Sequence, residues 1–154
     1  MPLSLEQVMT QEPTLTRFGF GVYAGVSKAD RPAALTMGRQ ELRESAERVK
    51  EIGEWIWLHL KPTQRLNPHR SSYGLKHIVE KDLQYVANGE FIAAMLMRGY
   101  RYAKDGPNAR FNVSEKAVKA VTWRQEAARR TIAGPEEVFV IVRGEAPDTH
   151  ADER

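Results

Sequence analysis

The residues able to do acid–base, nucleophilic or metal chemistry are few: four histidines and no cysteine in 154 residues. His77 and Glu80 stand three residues apart, so a helix would put them on one face, as a carboxylate–imidazole pair suited to proton transfer. A working acid–base or metal site needs more converging groups than two. His59 and His69 are separate in sequence, and no serine lies in a nucleophile-elbow motif. The pair therefore reads as a solvated histidine beside a carboxylate, and the expectation is no enzyme, no metal and no other cofactor. A glycine patch runs Gly19-Phe20-Gly21-Val22-Tyr23-Ala24-Gly25. Its G-x-G-x-x-x-G spacing, the lack of a preceding apolar strand and the position of Lys28 outside a G-K-[ST] context argue against a phosphate loop.

The remaining chemistry is electrostatic. Net charge is +3, but residues 61–130 hold fourteen Lys and Arg against six Asp and Glu, giving that stretch +8 and the remainder −5. A basic concentration of this kind can steer and hold phosphates. The candidate nucleic-acid-binding residues are Arg65, Arg70, Lys76, Lys81, Arg98, Arg101, Lys104 and Arg110.

Elements must position these side chains, and composition allows them a core: 42 % of residues are hydrophobic and 28 % charged. The absence of cysteine suits a reducing cytoplasm. No apolar run approaches the roughly 18 residues that cross a bilayer, and no signal peptide is visible. Residues 1–38, with Pro2, Pro13 and Pro32, are expected to form an arm of uncertain order that packs Phe18, Phe20 and Tyr23 onto the domain. Leu42, Ala46, Val49, Ile52 and Ile56 predict one helix over 39–60. Trp55 and Trp57 cannot both face that stripe. Pro62 ends the helix, and a basic surface loop follows over 61–71.

The central stretch is Ser71–Ser114. Ser71 or Ser72 caps a helix with Leu75, Ile78, Val79 and Leu83 on its apolar face. After a short break Asn88 is expected to cap EFIAAMLMRG, which stops at Gly99. Asp105-Gly106-Pro107-Asn108 is turn chemistry between two short strands. Ser114 caps a further helix over about 115–132, and EVFVIV at 137–142 reads as a strand that adds to the hairpin. The expected fold is α+β and mostly helical: a winged helix-turn-helix-like core with a β-hairpin and an added C-terminal helix and strand. It occupies a single domain over 39–143, with 144–154 as a disordered tail.

The segments Ser72-Tyr73-Gly74-Leu75-Lys76-His77, Asn88-Gly89-Glu90-Phe91-Ile92 and Gly106-Pro107-Asn108-Ala109-Arg110-Phe111-Asn112 resemble a pattern seen in small uncharacterised proteins of bacteriophages and mobile elements. The resemblance covers about a third of the chain and brings no catalytic residues with it. It implies a mobile-element origin, and with it either the handling of DNA or the blocking of a host system.

In a helix-turn-helix the second helix reads the major groove. Here that helix offers only Glu90 and Arg98 as strongly polar side chains, with Ala93, Ala94 and Met97 expected outward, a poor surface for base edges. The sequence therefore points to an accessory protein that binds nucleic acid, DNA by preference, mainly through backbone phosphates and with weak sequence specificity. The rival is a protein-interaction module that inhibits or recruits a host protein, or that assembles with itself. Its basis is the apolar second helix together with Trp55, Trp57, Tyr100, Tyr102 and Trp123.

Overall fold

The computed structural model describes residues 2–132. The order is α1 (Leu5–Gln11), β1 (Leu15–Thr16), β2 (Gly19–Phe20), α2 (Arg31–Glu44), α3 (Ala46–His59), α4 (Ser72–Leu83), α5 (Asn88–Met97), β3 (Tyr102–Asp105), β4 (Asn108–Phe111) and α6 (Glu115–Ile132). The fold is α+β and mostly helical, with two small antiparallel hairpins. Two compact units meet in sequence at Val118/Lys119. The described part of the second is the remainder of α6, where Trp123 is exposed and Arg130 lies 3.5 Å from Glu126. The strand expected at 137–142 and the tail at 144–154 lie outside the described residues.

The first unit is built around α5. A helix that is hydrophobic all round must be buried all round, and every α5 residue from Asn88 to Leu96 is buried. Helices α1, α3 and α4 and strands β1, β2 and β4 all pack against it. Ala93 and Ala94, expected to face outward, are fully buried. Their small side chains let neighbouring backbones come close, which makes them interior residues. Burying Phe91, Ile92, Met95 and Leu96 contributes roughly 2 kcal/mol each.

The ends of α5 explain how a buried helix satisfies its backbone. The expected cap, Asn88, is instead the first helical residue, and Ala87 precedes it as N-cap. Glu90 Oε1 accepts from the Ala87 amide at 2.9 Å, and the Arg17 carbonyl accepts from Gly89 at 2.8 Å. With those donors answered, Asn88 is free to bond Asn108 on the second hairpin at 2.9 Å. Glu90 is also paired with Arg17 at 3.0 Å. At the other end Gly99 sits at φ +85°, as the sequence predicts. Gly99 donates to the Leu96 carbonyl and Tyr100 to Met95, the paired bonds of a Schellman stop.

Residues 2–38 are part of this arrangement. Ser4 caps α1 in a reciprocal capping box with Gln7. Leu3 donates to the Met97 carbonyl at the far end of α5. Arg39, from α2, holds the carbonyls of Met9, Glu12 and Leu15 at 2.8–3.0 Å, closing the end of α1. Only Phe20 of the three expected aromatics is buried; Phe18 and Tyr23 are exposed. The reason is geometric. Gly19 (φ +130°) turns the chain so that Phe20 faces Tyr102, while Phe18 sits at the tip of the hairpin.

The single helix expected over 39–60 is two. Ser45 leaves helical geometry (ψ 15°), and its hydroxyl bonds back to the Glu41 carbonyl at 3.0 Å. That back-bond competes with the helical ladder. The helix before the break begins earlier, at Arg31, with Pro32 in its first turn. Ala46 is exposed, whereas Val49, Ile52 and Ile56 are buried. Trp55 is buried and donates to Asp82 at 2.7 Å, which leaves Trp57 in solvent.

The second hairpin is as expected, with a two-residue loop in which Gly106 takes φ +60° and Pro107 follows. Glycine at the first central position suits a type II′ turn. The loop after α3 runs back along the hairpin. Thr63 donates to Asn112 and Asn67 to Phe111, and a bridge joins Pro62 to Val113.

A side chain at Gly89 would meet the Thr16 carbonyl oxygen at 1.8 Å, and backbone cannot give way as a flexible side chain can. Gly89→Ala is expected to destabilise the protein by about 3 kcal/mol, read as a lower urea midpoint. Gly74→Ala, whose added carbon meets nothing closer than 3.8 Å, should leave stability within about 1 kcal/mol of the parent.

Candidate nucleic-acid interface

Most of the candidate cations are already engaged. Arg70 makes a two-pronged pair with Glu115, at 3.0 and 2.7 Å. Lys104 pairs with Glu12 and lies over the Phe20 ring. Arg110 reaches the Pro68 carbonyl at 3.0 Å and Asp105 at 3.4 Å.

Lys76, a candidate phosphate contact by sequence, is buried and pairs with Glu80 at 3.0 Å between the rings of Tyr73 and Tyr85. The ring faces of Tyr73 and Tyr85 meet its ammonium group, 5.2 and 5.0 Å from their centroids, and with Glu80 they answer the buried charge. Glu80 also accepts from the Val86 amide at 3.0 Å and touches His77 Nδ1 at 2.8 Å. Burial pushes the Glu80 carboxyl up. The Val86 amide, Lys76 and His77 together outweigh that and hold it below its ordinary value. The His77–Glu80 pair thus belongs to a network that fixes the turn between α4 and α5. Arg48 completes it from α3, donating to the carbonyls of Leu83 and Tyr85. No group of three or more His, Asp or Glu able to hold a metal occurs among the described residues.

Arg65, Arg98, Arg101 and Lys81 remain. Lys81 is exposed in the last turn of α4. That turn is joined by Arg48 to the end of α3 remote from Trp57, nine residues and roughly 13 Å away along the helix. Of the other three, Arg98 shares a groove with Lys61, which is also exposed, and Arg101 meets the loop next to Arg65. Arg98 follows α5 directly and lies over the Trp57 ring, 5.8 Å from its centroid. It crosses α3 at Gly53, where an added carbon would sit 3.4 Å from its Nε. Arg101 is placed by the hairpin, its amide bonded to Asn112 at 2.7 Å, and its guanidinium donates to the Gln64 carbonyl. Arg65 is the next residue along that loop. No carboxylate pairs with Lys61, Arg65, Arg98 or Arg101 among the described residues.

Two of these side chains, Lys61 and Arg98, border a groove of about 540 Å³ lined also by Pro2, Ile56, Trp57, Leu60, Pro62, Gly99 and Tyr100. Lys61 and Arg98 are its charged residues, and both are cations. Trp57 is 72 % exposed and Leu58 73 %. Burial pushes the Tyr100 phenol up to about 12, so it stays neutral and able to donate. The acidic side chains of α3, Glu47, Glu51 and Glu54, border a separate hollow with Arg48 and Lys50. Sequence reasoning placed Lys61 only within the basic loop and Trp57 only among aromatics suited to a protein interface, and did not join the two in one site. The available signal was the exclusion of one tryptophan from the stripe of α3.

The chain matches no known family model, no curated protein and no solved structure. No helix among the described residues is long and apolar enough to cross a membrane.

A carboxylate held below its ordinary value stabilises the fold above about pH 4.5, its unfolded value, and that contribution is lost as pH falls through the folded value. Stability measured by urea titration should therefore drop below about pH 4.5. Glu80→Gln is expected to lower stability at pH 7 and to flatten that part of the acid limb. An unchanged acid limb would remove Glu80 from the account.

Proposed function

We propose that this protein binds nucleic acid through backbone phosphates, with little sequence preference, at the face formed by Lys61, Arg65, Arg98 and Arg101. One observation carries the reading: these four cations have no carboxylate partners among the described residues, and two of them, Lys61 and Arg98, line a groove that no acidic side chain lines. Cations already paired with carboxylates must give up that pairing to meet a phosphate. Arg70, Lys76, Lys104 and Arg110 are therefore weaker candidates than the sequence suggests, Lys76 most of all because it is buried.

The helix–turn–helix–hairpin order of α4, α5, β3 and β4 supports a winged-helix-like scaffold. In this scaffold α5 is the internal strut and offers no face to a major groove, which favours phosphate contact over base reading. The same order and the resemblance to mobile-element proteins favour DNA as the polymer, in an accessory role. A second reading, a module that docks on a host protein, draws on the adjacent exposed Trp57 and Leu58. Aromatic residues beside arginine are common anchors of protein interfaces.

Anisotropy titrations of labelled duplexes between 50 and 200 mM salt test the proposal. Four phosphate contacts give a log–log slope of about −4. Arg65→Ala with Arg101→Ala should reduce that slope by about 2, similarly on unrelated sequences. Lys81→Ala should leave it unchanged. Absence of binding to any duplex or single strand at 50 mM salt would reject the proposal and favour the protein-docking alternative.

A further inference from the structure

We infer that the Trp57 groove takes an unstacked base, so that the preferred ligand is single-stranded nucleic acid, with the base on the indole and the flanking phosphates on Arg98 and Lys61. This rests on the phosphate-binding reading above and specifies its ligand.

Three observations carry it. Trp57 is the most exposed tryptophan described and stands at the mouth of the groove. A duplex hides the faces of its bases, so backbone binding alone gives an indole nothing to stack on. A single strand offers a π-face at every nucleotide. Next, the Arg98 guanidinium is held over this ring and against the open backbone at Gly53. An arginine beside an aromatic platform places a cation near the phosphate of a stacked nucleotide. Finally, the walls combine apolar Pro2, Ile56, Leu60 and Pro62 with Lys61 and Arg98, and lack any carboxylate. Apolar walls beside two cations match a base joined to a phosphate. Glu54, one turn before Trp57, borders the other hollow.

Leu58 beside Trp57 would equally suit an apolar protein segment, but such a segment does not call for unpaired cations. The charge of the groove therefore favours the polyanion.

The test uses the full chain with a 15-mer of dT, the same length of oligo-U, a dT strand with abasic sites and a blunt 15-base-pair duplex, all at matched salt. The intact strands are expected to bind roughly tenfold tighter than the duplex and the abasic strand. Trp57→Ala should remove that advantage while leaving the thermal midpoint unchanged, and Trp57→Phe should restore most of it. In a Trp123→Phe background, strand binding should quench the exposed indole. If the intact strand, the abasic strand and the duplex bind equally, or if Trp57→Ala binds the strand like the parent, the base pocket is wrong and the phosphate reading stands. If nothing binds at 50 mM salt, both fall.

Discussion

The structure depends on the enclosure of α5. A ten-residue helix with no wet face can be held only if the backbone groups at both its ends are answered by the protein itself. The turn of the first hairpin meets the N-terminus at Gly89, the one residue type that lets two backbones touch there. Arg17 supplies a carbonyl to Gly89 and a guanidinium to Glu90, whose other oxygen takes the Ala87 amide. At the opposite end Leu3 reaches Met97. The first twenty residues thus clasp α5 at both termini.

From that clasp a chain of polar groups spreads outward. Asn88 ties α5 to the tip of the second hairpin through Asn108. Ser72, fully buried in the first turn of α4, accepts from the Ala109 amide at 3.0 Å. Asn112 and Asn67 lace the post-α3 loop to the same hairpin. Ser72, Asn67 and Asn112 are buried polar groups with their partners in place, the condition under which such groups fix one arrangement and exclude others, whereas Asn88 donates through Nδ2 and leaves its buried Oδ1 without a partner. Many residues of the segments 72–77, 88–92 and 106–112 meet here, at the helix starts and the hairpin. Their polar side chains Ser72, Asn88, Glu90 and Asn112 hold the fold together.

The candidate site is a by-product of the same packing. Because α5 is interior, its C-terminal stop at Gly99 sends Arg98 and Tyr100 to the rim of α3. Because the loop after α3 pairs with the hairpin, Lys61, Arg65 and Arg101 are carried to the same neighbourhood. The break at Ser45 and the burial of Trp55 against Asp82 set the rotation of α3, and that rotation puts Trp57 in solvent.

The sequence by itself determined the local elements. Ser71 and Ser114 as caps, Gly99 as a helix stop, the Gly106-Pro107 turn and the apolar stripe of α4 are each decided by a few neighbouring residues. So was the poverty of α5 as a base reader, since its composition holds wherever it lies. What the tertiary structure decided depends on partners far along the chain. Asn88 lost its expected capping role because Arg17, 71 positions earlier, answered the amide of Gly89. Lys76 went inside because Glu80 and two tyrosines met it there, and Arg70 and Lys104 found carboxylates at Glu115 and Glu12. A one-dimensional reading counts charges, but whether a cation is free depends on which carboxylate the fold brings within about 4 Å. The basic stretch was therefore visible from the start, while the particular cations left open to a ligand were settled only by long-range packing.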